Sequence, residues 1–191
     1  MSEIRIQPIE DVHIQDVDRI RRTFLNTKHL CCCIPVGIGP FWDLANDFEK
    51  CPDMKNVVGV AISPEKEVVG FCQLLFKGMP DMLHKCKPGE AHVLVLAVDE
   101  EAQGMGVGSK LLAWAEEVAR ERKSTFMSLE VVNGNPAIGL YERKGYVIQK
   151  QALWKTVLLM IPYFCCSPMI WGAGSSTYCH YGQMHLMTKP L

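Results

Sequence analysis

Several things are missing from this chain, and each absence removes a class of function. There is no basic excess: 20 Lys and Arg stand against 21 Asp and Glu, for a net charge of −1. A general nucleic-acid footprint needs a basic patch or stripe, so no nucleic-acid partner is expected. There is no framework of spaced cysteine pairs. The nine cysteines are odd in number, Cys31, Cys32 and Cys33 are consecutive, and none makes a CxxC pair. That is unlike a secreted disulfide scaffold. Structural zinc uses closed sets of four ligands; Cys179-His180 and His84/Cys86 fall short of that, and no metal is expected. No basic region followed by an apolar core opens the sequence after Met1, so a reducing, cytoplasmic compartment is expected. No apolar run reaches the roughly 20 residues of a spanning helix. The most apolar stretch, Thr156 to Trp171, is shorter and is interrupted by Pro162 and Pro168. It reads as buried strand and loop, with a membrane-surface or partner-facing patch as the rival reading. No repeat and no low-complexity linker divides the chain.

What is present is ordinary for a globular protein. Apolar residues make up 48% and charged residues 21% of 191 residues, which suits a single domain spanning 1–191. Glu3–Pro8 alternates and predicts an opening strand. Val17, Ile20 and Phe24 recur at helical spacing behind Glu10-Asp11, which suits the positive end of a helix dipole. Pro40 to Glu49 predicts a second short helix. Val57–Ile62 and Glu67–Phe76 flank Ser63-Pro64-Glu65-Lys66 and predict a hairpin. His92–Val98 is nearly all apolar, as expected of a central strand covered on both faces. Val107, Leu111, Trp114/Ala115 and Val118 predict an amphipathic helix. A strand over Thr125–Val132, a short helix over Pro136–Lys144 stopped by Gly145, a strand over Tyr146–Lys150 and a closing strand over Gln183–Thr188 complete the reading. The class is α/β with a mixed sheet.

The most informative run is Leu96-Ala97-Val98-Asp99-Glu100-Glu101-Ala102-Gln103-Gly104-Met105-Gly106-Val107-Gly108-Ser109. A buried strand ends, and a glycine-spaced turn opens a helix. Glycines allow a tight curl and close backbone approach. The first helix amides have no internal acceptor and point with the dipole at one spot, which makes an anion site. A dinucleotide fingerprint needs GxGxxG, whereas the spacing here is GxGxG followed by Ser-Lys. A Walker loop needs Gly-Lys-Ser/Thr, and Ser109-Lys110 is reversed. A ligand-free glycine-rich helix start is the plain alternative.

The third ligand reading comes from a resemblance. Gln103-Gly104-Met105-Gly106-Val107-Gly108 resembles the Gln/Arg-x-x-Gly-x-Gly/Ala signature of the GNAT superfamily of N-acyltransferases. The resemblance continues from Leu129 through Asn135, Ala137, Leu140-Tyr141-Glu142 to Gly145-Tyr146, so that Ala91 to Tyr146 is covered in the right order. It implies a single domain with a mixed, mostly antiparallel sheet, a central splayed parallel strand pair and flanking helices. It implies acetyl-CoA as co-substrate. Gly104, Met105, Gly106, Val107, Gly108 and Ser109, after Gln103, would give N–H groups to the pyrophosphate. Leu96, Ala97 and Val98 would pair with the pantetheine arm, much as a peptide adds to a strand edge. Asn135 would touch the pantetheine or thiol region, although one residue fewer than usual separates it from Tyr141. The segment 151–191 would supply strands and a long loop beside the acceptor cleft; Cys31–Cys33 falls in a region that borders the cleft in this family, with a buried loop of small side chains as the plainer reading.

Transfer to an amine needs a base for the amine proton and a proton for the leaving thiolate. Tyr141 matches the family's thiolate acid; otherwise it simply packs the short helix. Glu130 matches a catalytic Glu of the branch resembling ribosomal-protein N-terminal acetyltransferases, and period 2 puts it on one face with Phe126 and Ser128. His92 stands where the histone-acetyltransferase branch carries its Glu, and its unperturbed pKa of about 6.5 suits a base. A hydrogen-bonded strand-end histidine is the alternative. The acceptor is left open between a protein N-terminus, a lysine and a small-molecule amine, and a homodimer is allowed. Two readings from other classes stand beside this one: a non-catalytic CoA-binding or interaction module on the same fold, and a nucleotide-binding oxidoreductase.

Overall fold

A computed structural model describes residues 4–26, 48, 51–79, 84–132, 134–149 and 184–191. Seven strands form one sheet: β1 Arg5–Pro8, β2 Val58–Ile62, β3 Val68–Phe76, β4 Glu90–Val98, β5 Phe126–Val132, β6 Val147–Ile148 and β7 Met184–Pro190. Their order is β1-β2-β3-β4-β5-β7-β6. All neighbours are antiparallel except β4 and β5. Among the described residues, α-helices α1 Ile14–Asn26, α2 Val107–Glu121 and α3 Ile138–Arg143 accompany the sheet. The mixed sheet is as the residues predict, and the central parallel pair with flanking helices is as the family resemblance implies.

The parallel pair splays. β4 and β5 are in register from Glu90↔Phe126 to Val93↔Leu129, and no further, although both strands continue. The cause lies on the other side of β4. Against β3, Leu74 opposes Val93 and Gln73 opposes Val95, leaving Leu94 as an extra residue. Such a bulge bends the strand and increases its twist. Beyond Leu94, β4 stays with β3 and leaves β5.

α2 is drawn close to the sheet by two glycines. A Cβ at Gly59 on β2 would lie 2.5 Å from the Trp114 ring, and one at Gly70 on β3 would meet Val107 and Leu111 at 3.3 Å. The helix buries Val107, Leu111, Leu112, Ala115 and Ala119 against Phe71, Cys72, Leu74 and Ala97. Lys189 on β7 donates to Glu116 of α2 at 2.7 Å, tying the last strand to the same helix.

Several boundaries differ from the sequence reading. β4 starts at Glu90, before His92, because that carboxylate is buried by hydrogen bonds. α3 starts at Ile138, after Pro136, because Asn135 Oδ1 accepts from the Ala137 amide at 2.8 Å and forms the turn. β6 is only two residues long. The short helix expected over 40–49 lies outside the described residues apart from helical Phe48. Cys31–Cys33, the stretch 156–171 and the loop after it also lie outside them.

Candidate active site

The two ends of β4 carry different chemistry. At its start, Glu90, His92 and Ser128 form a buried polar row across the parallel pair. Ser128 Oγ donates to Glu90 Oε1 at 2.5 Å and lies 2.8 Å from His92 Nδ1. Glu90 also accepts the Lys87 amide at 2.7 Å and faces His84 Nε2 at 3.0 Å. Burial pushes the Glu90 carboxyl up, but the Lys87 amide, the Ser128 hydroxyl and His84 outweigh it, so its pKa falls below the usual value. His92 is lowered to about 4, first by burial and then by His84, against the opposing pull of Glu90. It is therefore neutral near pH 7. The His84 and His92 rings stack with centroids 3.7 Å apart and planes 8° apart.

The three groups His84, Glu90 and His92 bring ligand atoms within 4.8 Å of one another. Metal ligation by histidine uses the in-plane lone pair. Two nearly parallel, stacked rings cannot both aim that lone pair at one ion, so this arrangement does not fit a shared metal.

At the far end of β4 the environment opens. Leu94, Val95, Leu96 and Val98 are half-buried, and only Ala97 is fully covered. Asp99 then joins Arg19 of α1 at 2.8 Å, and Gln103 Nε2 donates to Val98 O at 3.3 Å. Gly104 and Gly106 have φ of +78° and +82°. At both, an added Cβ would meet nothing within 4 Å, so backbone conformation and not crowding calls for glycine. Gly106 caps α2, with no side-chain capping bond and no acidic residue in the first turn. After Gln103, the next amide in an inter-element backbone bond among the described residues is Lys110, which donates to Gly106 O. The amides of Val107, Gly108 and Ser109 are the free first amides of a helix 15 residues long. Met105 is 67% exposed beside them. A Cβ at Gly108 would lie 3.2 Å from Leu140, 3.7 Å from Leu96 and 3.8 Å from Val98. The turn, the end of β4 and α3 therefore meet at one point.

Tyr141, next to Leu140, is buried, and its ring meets Tyr146 edge-on at 6.1 Å. Burial, helped by nearby Cys72, raises its phenol to about 12. Cys72 is paired across the sheet with Leu96, so Tyr141 belongs to the open end of β4. It stays protonated at neutral pH and can donate. Asn135 is half-buried and engaged in its own turn. Glu130 is exposed, paired with Leu186, on the face of β5 that also carries Ser128. No hydrogen bond joins Glu130, His92 and Tyr141 among the described residues. Sequence reasoning missed the Glu90–Ser128 link, whose partners lie 38 residues apart. Among the described residues, one surface depression of about 370 Å³ lies between Phe76, Gly89, Glu90 and Arg122, and another of about 450 Å³ lies beside Trp114, both away from the glycine turn. In the first, Arg122 is already held by Asp53 through two bonds of 2.8 Å.

Comparison with known proteins adds the family. The model of the acetyltransferase (GNAT) family matches residues 22–146, well over half of the chain. The S-(2-succino)cysteine N-acetyltransferase of Bacillus subtilis is 44% identical over 62 residues, which are 31% of this chain and 38% of that protein. The crystal structure of Ard1 from Thermoplasma volcanium superposes with a TM-score of 0.62 at 21% identity, covering 98% of this chain and 97% of that one. The ribosomal-protein-alanine N-acetyltransferase from Brucella melitensis gives 0.62 at 20% identity, covering 98% and 99%. At such identities the likeness to the two structures is one of fold.

Proposed function

The chain belongs to the GNAT acetyltransferase family, and from that premise we propose that it transfers an acetyl group from acetyl-CoA to a primary amine by direct attack. One observation carries the reading: β4 leaves β5 at the Leu94 bulge and runs out to a glycine turn whose helix amides lack acceptors among the described residues. An extended amide-bearing arm with a charged pyrophosphate is the kind of ligand that such an arrangement takes. The free amides of Gly104 to Ser109 receive the pyrophosphate, and the freed edge of Leu96, Ala97 and Val98 pairs with the pantetheine arm. Gln103 braces the turn from Val98. Asn135 acts at one remove, by starting α3.

In this reading the amine nitrogen attacks the thioester carbonyl, the N–C bond forms and the C–S bond breaks. The amine proton goes to His92, neutral near pH 7. The thiolate takes a proton from Tyr141, whose raised pKa keeps that proton available. Glu130, exposed on the same face as Ser128, is the second candidate base and is otherwise placed to attract a cationic acceptor. The 44% identical relative, by its name, acetylates a modified amino acid, so small amino-acid amines are the first acceptors to try, ahead of peptide N-termini and lysines. No helix among the described residues is long and apolar enough to cross a membrane. A cytoplasmic enzyme, as a monomer or homodimer, fits the reading.

The test is turnover of acetyl-CoA with a panel of amines, in wild type and Tyr141→Phe. Amine-dependent release of CoA that falls in the variant supports the proposal. Acetyl-CoA binding without turnover on any amine favours a non-catalytic module, and binding of a nicotinamide nucleotide in its place favours an oxidoreductase.

A further inference from the structure

The buried row at the start of β4 has only one consistent proton arrangement. The Glu90 carboxylate is an acceptor only. Ser128 has one hydroxyl proton and gives it to Glu90 Oε1. Toward His92 the same oxygen can then only accept, so Nδ1 must carry the proton of that 2.8 Å bond. A neutral imidazole with its proton on Nδ1 has its lone pair on Nε2. That nitrogen has no partner among the described residues.

We propose that Glu90 and Ser128 are positioning residues, which fix the proton on His92 Nδ1 and so present His92 Nε2 as the base for the acceptor amine. The inference rests on the acyltransferase reading and adds a role for two residues outside the His92–Tyr141 pair. When Nε2 takes the amine proton, the imidazolium keeps Nδ1–H on Ser128, and Ser128 keeps its proton on Glu90. The positive charge then faces a carboxylate through one hydroxyl, and no proton has to move along the row. His84 completes it from the segment before β4: its Nε2 lies 3.0 Å from Glu90 Oε1 and must donate to that carboxylate. Stacking on His92 at 3.7 Å holds the ring plane.

The experiment reads the tautomer and the kinetics separately. Long-range nitrogen–proton spectra of histidine-labelled protein report which His92 nitrogen is protonated, without any turnover. Wild type should show Nδ1–H; Ser128→Ala should lose that preference, and Ser128→Thr, which keeps the hydroxyl, should restore it. Glu90→Gln, which keeps an acceptor oxygen without the charge, is the second variant if Ser128→Ala folds poorly. It should keep the tautomer and lower kcat. Ser128→Ala should lower kcat by about 100-fold while KM for acetyl-CoA stays within about twofold. Nε2–H in wild type overturns the proposal. So does a Ser128→Ala protein that loses the tautomer and still turns over like wild type. A wild type with the Nδ1–H tautomer but no transferase activity overturns the acyltransferase reading instead, so the two failures are distinguishable.

Discussion

Glu90–Val93 and Leu94–Val98 are two halves of one strand, yet they are finished in opposite ways. From Ala91 to Val93 the first half is paired on both sides, with β3 and β5, and its buried polar side chains, Glu90 and His92, are joined through Ser128, with His92 Nε2 alone left open among the described residues. The second half is paired with β3 alone, is half-exposed, and ends on a turn whose amides have no acceptor among the described residues. A buried polar group without a partner costs roughly 1–3 kcal/mol, whereas an exposed one is held by water until a ligand replaces it. The paired half is therefore the place where mutation harms stability. If the open half receives the cofactor as proposed, mutation there harms binding. One bulged residue, Leu94, separates the two regimes.

Substitutions in the two halves should divide accordingly. The largest effect is expected at the open end. Gly106→Trp forces a bulky residue into a left-handed φ of +82° and fills the space in front of the helix amides. Turnover should vanish, and the stabilisation of about 2.7 kcal/mol that acetyl-CoA gives at 100 Kd should be lost, as read by thermal shift. The ligand-free variant should lose only about 1–2 kcal/mol. Acid comes next and acts on the paired end. His92 goes from an ordinary 6.5 to about 4 in the fold. Below pH 6.5 the unfolded chain binds the extra proton, so stability is complete above that pH and falls by about 3 kcal/mol toward pH 4. Glu90, with its lowered pKa, adds a loss of the same sign at still lower pH. Denaturant titrations at stepped pH measure this, and a His92→Gln variant should flatten the slope.

Ser128→Ala should cost about 2 kcal/mol in the same titrations at neutral pH, since it strips Glu90 and His92 of a shared partner. Acetyl-CoA affinity should be preserved. Tyr141→Phe should lower kcat about tenfold and leave the melting temperature nearly unchanged, because a thiolate needs only modest help to leave. The smallest effect belongs to Glu130→Gln. That side chain is exposed, and the stability change should stay within about 0.5 kcal/mol. A kcat loss larger than that of Ser128→Ala would move the base from His92 to Glu130.

The open half of β4 was largely legible in the sequence, and the paired half was not. An apolar run ending in GxGxG before an amphipathic helix is a local signal. The structure puts the strand, the turn and the helix where that signal does. Period 2 also put Glu130 and Ser128 on one face. The bulge at Leu94 left no mark, because one apolar residue too many in an apolar run looks like any other. The link from Ser128 to Glu90 and His92 joins residues 38 and 36 apart and depends on strand register, which periodicity alone does not supply. The apolar run predicts a strand only from His92, two residues after Glu90, because a carboxylate rarely enters a core. Here three donors bring it in. At Asn135 a functional reading met a structural use, the turn that starts α3.

The central claim is that the open half of β4 and its glycine turn receive the cofactor. The most direct measurement is a titration of the isotope-labelled protein with acetyl-CoA, following backbone amide resonances. The account predicts saturable shifts concentrated at Leu96–Val98 and Gly104–Ser109, with Glu90–Val93 nearly still. Shifts confined to Glu90–Val93, or none at saturating acetyl-CoA, would contradict it.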